Sequence, residues 1–93
     1  MSPRAIHLRV LTESHLALAD EAVSIVAPGG LGYLGMLYNH APLITTVSPG
    51  RLRWITPSGT RRTVEVGSGL LELVQNRCTL LTNSVTELSA AHA

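Results

Sequence analysis

Ile6, Leu8 and Val10 occupy one phase of the chain near its start, and His7, Arg9 and Leu11 the other. Alternate side chains share a face of a strand, so this period predicts a half-buried β-strand. Thr12-Glu13-Ser14 reads as a turn. A second segment around Leu16 and Leu18 leads to the acidic pair Asp20-Glu21, and Ala22 to Ala27 forms a further short β-branched run that Pro28-Gly29-Gly30 ends. Leu43 to Val47 and Arg51 to Thr56 read as strands on either side of Ser48-Pro49-Gly50, where Pro presets φ and Gly permits a positive one. Thr56-Pro57-Ser58-Gly59-Thr60 turns the chain again. Arg62 to Val66, Leu70 to Val74 and Arg77 to Thr82 complete the series, broken at Gly67-Ser68-Gly69 and Gln75-Asn76. Turn signals at intervals of roughly ten residues, with no sustained helical period, predict an all-β antiparallel sandwich or barrel. The end, Leu88 to Ala93, carries no second apolar stripe and is expected to fray.

Composition narrows this picture. Ninety-three residues suffice for one core and are too few for two. Hydrophobic residues at 45% and charged residues at 14% fit a folded domain and exclude a disordered chain. Phe is absent and aromatics total 3%, so the core must be built from Leu, Ile and Val, whose β-branched members favour strands. The seven basic residues are all Arg; with six acids the net charge is +1, too small to steer the chain toward nucleic acid or anionic membrane. A lone Cys78 rules out an internal disulfide and a cysteine-rich zinc site, in keeping with a reducing compartment. Met1-Ser2-Pro3-Arg4 leads straight into the first alternating segment without an apolar run of signal-peptide or membrane-spanning length, so membrane association is expected only through a partner.

Several constellations invite a chemical reading. Gly30-Leu31-Gly32-Tyr33-Leu34-Gly35 matches G-x-G-x-x-G after a strand-like run. A dinucleotide turn needs a helix N-terminus for the pyrophosphate, yet Met36 to Pro42 has no helical stripe, and Arg51 and Arg53 stand where the ribose-binding acid is expected. The glycines are read instead as serving tight turns, with Gly35 expected to need permissive backbone angles. His7, His15, His40 and His92 have no ligand spacing and no cysteine partner nearby, so no metal site is predicted. His40 stands in Asn39-His40-Ala41-Pro42, where Pro42 favours an extended Ala41 and the histidine is expected to hold a bend. Glu13-Ser14-His15 is a polar turn; neighbours on a strand point to opposite faces and would not form a Ser to His hydrogen bond. Glu65 and Glu72 are not paired for acid and base work. No catalytic, cofactor-binding or metal-binding residue is assigned.

Arg51, Arg53, Arg61 and Arg62 flank the Thr56 to Thr60 turn, so a hairpin would gather them on one ribbon. Leu52 and Trp54 would then face away from Arg51 and Arg53, and Arg62, Val64 and Val66 away from Arg61, Thr63 and Glu65. The ribbon is read first as a solvated, edge-protecting face. Single-stranded nucleic acid is the weaker alternative, because interleaved aromatic stacking platforms are missing.

Five blocks in order then carry a resemblance. Ala27 to Val47, APGGLGYLGMLYNHAPLITTV, contains Gly29, Gly32, Leu34, Gly35 and Met36 in a G-x-x-G-x-L-G-[IM] turn, followed by His40-Ala41-Pro42-Leu43. Pro49-Gly50-Arg51-Leu52-Arg53 is similar to P-G-x-[LI]-R, Val66 to Val74 to V-x-G-G-x-L-E-V, and Cys78 to Thr82 to V-T-V-L-A. Taken together, over roughly residues 5 to 88, the chain resembles the N-terminal domain of the F-type ATP synthase epsilon subunit. The resemblance implies a ten-stranded β-sandwich of two antiparallel sheets over residues 1–88, with a frayed tail over 89–93. It implies a non-catalytic rotor subunit of a proton- or sodium-translocating synthase that joins the gamma subunit to the c-ring, without a cofactor. It would be peripheral on the cytoplasmic face of a bacterial inner membrane.

On that resemblance Gly30, Leu31, Gly32 and Tyr33 are the c-ring contact, and His40, Ala41, Pro42 and Leu43 the gamma-subunit contact. Leu31 and Tyr33 stand where family members often have acids, so an apolar or aromatic contact is expected to replace charge pairing. Ser68 replaces a frequent glycine. Full-length members continue into a two-helix hairpin that restrains ATP hydrolysis, and this sequence is expected to lack that latch. A free-standing β-sandwich binding module and an arginine-ribbon nucleic-acid binder are the competing functions.

Overall fold

The computed structural model describes residues 4–87, and every element in it is a strand. They are β1 (Ile6–Leu11), β2 (Leu16–Ala22), β3 (Ser24–Gly29), β4 (Gly32–Leu37), β5 (Leu43–Val47), β6 (Gly50–Ile55), β7 (Arg61–Val66), β8 (Gly69–Val74), β9 (Arg77–Thr82) and β10 (Val85–Glu87). The all-β, ten-stranded expectation is met. The expected tail, residues 89–93, lies outside the described residues, as do residues 1–3 and 88 of the domain expected over residues 1–88.

Hydrogen-bonded neighbours follow the order β10-β7-β6-β3-β5-β8-β9-β1-β2, with β4 paired to β3. The ladder folds over where β3 meets β5 through a single residue pair, Gly29 opposite Val47. The half built from β3, β4, β6, β7 and β10 thereby packs its apolar face on the half built from β5, β8, β9, β1 and β2. Among the described residues eight of the nine strand pairings are antiparallel; β1 and β9 run parallel, with Leu8 opposite Cys78 and Val10 opposite Leu80. Alternation gives each strand's face but not its neighbour's direction, and nothing in β1 or β9 alone announces that pair.

The core collects alternate residues from both halves. Ile6, Leu8 and Val10 of β1, Leu71 and Leu73 of β8 and Cys78 and Leu80 of β9 meet Ile25 and Ala27 of β3, Met36 of β4, Leu52 and Trp54 of β6 and Val64 and Val66 of β7. Each fully buried Leu or Ile contributes about 1.5–3 kcal/mol relative to an exposed one. Leu52 and Trp54 are buried while Arg51 and Arg53 are exposed, as the β6 pattern predicts.

Two junctions differ from the sequence reading. The run Ala22 to Ala27 is two strands: β2 ends at Ala22 and β3 begins at Ser24. At Val23, which donates its N–H to the Ile55 carbonyl at 2.8 Å, the chain crosses from one half to the other. Pro28 and Gly29 also extend β3 instead of ending it. Gln75 and Asn76 make the expected β8–β9 turn, both with positive φ (49° and 61°), the conformation of a two-residue type I′ hairpin.

A polar clamp closes the seam beside Val23. Trp54 Nε1, on β6, donates to Asp20 Oδ2, on β2, at 2.9 Å, linking the two halves through side chains. The Arg62 guanidinium lies 5.9 Å from the Trp54 ring centroid and 3.9 Å from both Asp20 and Glu87 carboxylate oxygens. Removing the acceptor strands a buried indole N–H, so Asp20→Ala is expected to lose about 1–3 kcal/mol of stability. Asp20→Asn, which keeps an acceptor, is expected to lose less. Urea unfolding followed by fluorescence of the single tryptophan measures both.

Cys78 supplies a second check. Burial pushes its thiol from 9.0 up to about 12, because the thiolate would be stranded in the apolar core. Between those values the unfolded chain sheds the proton that the folded chain retains. The stabilisation is therefore complete below pH 9.0 and is lost as the pH rises toward about 12. Stability of the native chain should fall more steeply over that window than stability of Cys78→Ala, and a thiol reagent should modify Cys78 only after unfolding.

Candidate functional surfaces

The glycine-rich segment forms an exposed hairpin tip. β3 and β4 are a hairpin in which Gly29 pairs with Gly32, leaving Gly30 and Leu31 at the tip. Gly30 N–H is tied to the Thr46 carbonyl at 3.1 Å, so the tip is anchored to β5 while Leu31 projects wholly into solvent. Gly32 has φ +131°, which L side chains rarely adopt, and this explains the glycine there. The G-x-G-x-x-G match is therefore a β-hairpin, with no helix N-terminus to receive a phosphate.

Gly35 corrects an expectation. It lies within β4, its φ is not positive, and a Cβ built on it would meet nothing within 4 Å. Nothing in its backbone requires glycine. Tyr33, on the same outer face of β4, is 59% exposed. A Cβ at Gly50 would lie 3.4 Å from the Tyr33 hydroxyl, and the Arg53 guanidinium sits 5.7 Å from the ring centroid, within the range of a cation–π contact.

The His40 to Leu43 bend lies at the opposite end of β4. Asn39 takes φ +66°, and His40 N–H donates to the Leu37 carbonyl at 3.0 Å. Asn39 and Asn76 are joined by two hydrogen bonds, from Asn39 N–H to Asn76 Oδ1 at 2.7 Å and from Asn76 Nδ2 to Asn39 Oδ1 at 3.0 Å. His40 Nδ1 donates to the Ala41 carbonyl at 2.7 Å, so the ring buttresses the bend, as expected of it. Pro42 and Leu43 line a shallow depression of about 430 Å³ with Ile44, Glu72, Leu73 and Val74. The two predicted contact segments thus lie toward opposite ends of β4, a strand of six residues or about 20 Å whose first two residues, Gly32 and Tyr33, belong to the first of them.

One surface escaped the sequence reading. Strand registers align Thr46, Leu70, Leu81, Leu11 and Leu16 across β5, β8, β9, β1 and β2. Leu16, Leu70 and Leu81 are each about half exposed. The signal was present in the alternation: Leu11, Leu70 and Leu81 occupy the phase that should be polar, which a monomer surface does not require.

The arginine ribbon forms with the predicted facing, but most of its charge is engaged. Arg51 lies 3.9 Å from Glu65, Arg53 covers Tyr33, and Arg62 sits between Asp20 and Glu87. Ser14 and His15 do meet, contrary to the strand argument: both lie in the β1–β2 turn, and Ser14 Oγ is 3.2 Å from His15 Nδ1. Thr12 Oγ1 competes for the same nitrogen at 3.3 Å, and the Thr12 N–H to His15 carbonyl bond of 2.9 Å makes this a closed turn. Among the described residues no group of three or more His, Cys, Asp or Glu side chains gathers to hold a metal.

Comparison with known proteins agrees with this geometry. The family model described as "ATP synthase, Delta/Epsilon chain, beta-sandwich domain" matches residues 5–88. An ATP synthase epsilon chain of Chloroflexus aurantiacus is 38% identical over 80 residues, covering 86% of this chain and 57% of the relative. One from Pelotomaculum thermopropionicum is 37% identical over 84 residues, covering 90% and 62%. This chain therefore spans about three fifths of the length of those relatives. Among solved structures, a chain of the Euglena gracilis mitochondrial ATP synthase (OSCP/F1/c-ring) superposes with TM-score 0.85 at 17% identity, covering 94% of this chain and 56% of that one. At that identity the likeness is one of fold.

The contrast between two glycines tests this account of the tip. Gly32→Ala forces a side chain into a glycine-only region and should cost about 1–3 kcal/mol. Gly35→Ala should be neutral or stabilise by up to ~1 kcal/mol, since strand glycine is entropically costly. Thermal denaturation of the two variants measures the difference.

Proposed function

The chain belongs to the β-sandwich family of ATP synthase delta and epsilon chains, and from that premise we propose that it is a non-catalytic central-stalk subunit coupling the gamma subunit to the c-ring of an F-type ATP synthase. The observation that supports the reading is that the two segments assigned to these contacts lie toward opposite ends of β4 within one braced sandwich. Gly30, Leu31, Gly32 and Tyr33 form the end that meets the c-ring. His40, Ala41, Pro42 and Leu43, with the apolar depression beside them, form the gamma-facing end. Two sheets with close-packed inner faces deform little under load, which is what torque transmission between those ends demands.

Leu31 is the apolar probe at the c-ring end, in a position where charge would otherwise make the contact. Proton or sodium translocation belongs to the ring, and the subunit is held at the cytoplasmic face of the membrane through its partners. The exposed leucine row fits protein contact better than solvent. The arginine ribbon, with Arg51 and Arg62 close to acids, gives a nucleic-acid role little support.

Affinity purification of the tagged chain from its native cell should retrieve a gamma subunit and ring subunits together. A folded chain that retrieves neither would leave the free-standing binding module as the better reading. Leu31→Asp should leave urea stability within about 0.5 kcal/mol, as for other surface substitutions, while lowering retention of the ring more than retention of gamma. Unchanged ring retention would remove Leu31 from the contact.

A further inference from the structure

We propose that the open edge of β4 receives an extended segment of a partner protein, in which a glutamate stands between two apolar residues. The proposal rests on the reading of the chain as a docking subunit and refines its tip surface.

β4 is hydrogen-bonded to β3 alone among the described residues, so its other edge presents unpaired backbone groups. Soluble proteins protect such edges with charges, proline or bulges. Gly32-Tyr33-Leu34-Gly35-Met36-Leu37 contains no charge and no proline, and it pairs with β3 without a register shift. An edge of this kind suits strand addition, in which main-chain bonds supply affinity and alternate side chains supply selectivity.

The two faces of β4 define the added strand. On the inner side Leu34 is half-buried and Met36 buried, so residues placed beside them would extend the core and must be apolar. On the outer side Tyr33 and Leu37 stand exposed on either side of Gly35, where a Cβ would meet nothing within 4 Å. Gly35 is thus a notch in an otherwise covered face.

The notch opens toward a cation. Gly35 is opposite Val26, and Val26 is opposite Arg53, so the three form one row on the outer face. Arg53 faces Thr63 on β7, is in none of the ion pairs among the described residues, and is turned toward β4 over the Tyr33 ring. An added residue opposite Gly35 would lie three strand spacings, ~14 Å, from the Arg53 backbone. The arginine side chain covers the far part of that span, and a glutamate leaning across the notch covers the rest and forms a charge-assisted bond. A second copy of this chain is a poorer occupant, because its own β4 offers no carboxylate.

The test is a titration of the isotopically labelled full chain, followed by amide NMR, with an acetylated synthetic peptide having a Val-Glu-Val centre flanked by threonines, taken to millimolar concentration. Controls are the Val-Lys-Val peptide and a Val-Glu-Val peptide methylated on its central amide nitrogens. Shifts should be confined to β4, its neighbours and the Arg53 side chain, and the methylated peptide should produce none. The lysine peptide, and the Arg53→Ala chain with the glutamate peptide, should each bind about fivefold more weakly, the scale of an exposed ion pair. Gly35→Leu should keep the fold's spectrum while losing the preference for glutamate. Absence of β4 shifts at millimolar peptide, equal binding of the lysine peptide, or equal binding of the methylated peptide would overturn the proposal. So would β4 shifts that grow with protein concentration alone and accompany a dimer in sedimentation, which would give the edge to a second copy. Peptide binding by a chain that retrieves no gamma subunit would leave this edge site standing and remove the rotor reading instead.

Discussion

The structure depends on closing the space between its two halves at Val23, where one residue carries the chain from β2 into β3. On the opposite side the ladder is continuous through Gly29 and Val47, so the halves cannot part there without breaking the sheet. Beside Val23 the bond from Trp54 Nε1 to Asp20 and the backbone bond from Val23 to Ile55 hold them together. If that seam opened, Ile6, Leu8, Leu52 and Trp54 would meet water, and the burial that drives folding would be lost. Asp20 is suited to the task because it lies at the rim, where it accepts from the buried indole while remaining partly solvated beside Arg62.

That closure is what makes the surfaces useful. A hairpin tip and a bend at the far end of the same strand can act as two fixed points only if the body between them does not flex. β4 spans the two segments, and it is backed by β3, which pairs in turn with β6 and reaches β5. The bend is held to the β8–β9 turn by the paired amides of Asn39 and Asn76, and the tip is held to β5 by Gly30. Both proposed contact segments are therefore anchored to parts of the sheet other than β4, and a push on either end is borne by the sheet.

Much of this was legible in the residues, and the failures have distinct causes. β1, β6, β7, β8 and β9 follow simple alternation, and Gln75-Asn76 announces its turn because asparagine tolerates positive φ. β4 was hidden: three glycines within six positions at Gly30, Gly32 and Gly35 suggest a loop, and only pairing with β3 makes the segment a strand. The β2–β3 junction was hidden for the opposite reason, since Val23 is as β-compatible as its neighbours and the crossing is fixed by its bond to Ile55. β10 is three residues long and depends on β7 for its existence. The Trp54–Asp20 clamp joins residues 34 apart in sequence, a distance over which no local pattern speaks.

The same contrast separates scaffold from surface at the candidate sites. Where local chemistry determines geometry, as at Gly32 with its positive φ, the residue was readable as structural. Where a residue departs from local rules without a structural demand, the departure points outward. Leu11, Leu70 and Leu81 sit on a phase that solvent should make polar, Leu31 is an apolar side chain in full contact with water, and Gly35 is a glycine with neither a strained angle nor a crowded Cβ. A monomer gains nothing from any of these choices: a polar residue would serve the first four positions, and alanine would serve the fifth at no cost in stability. Their shared physical cost would be removed by another protein that covers the apolar groups and fills the notch, which is why these positions support the proposed contact surfaces.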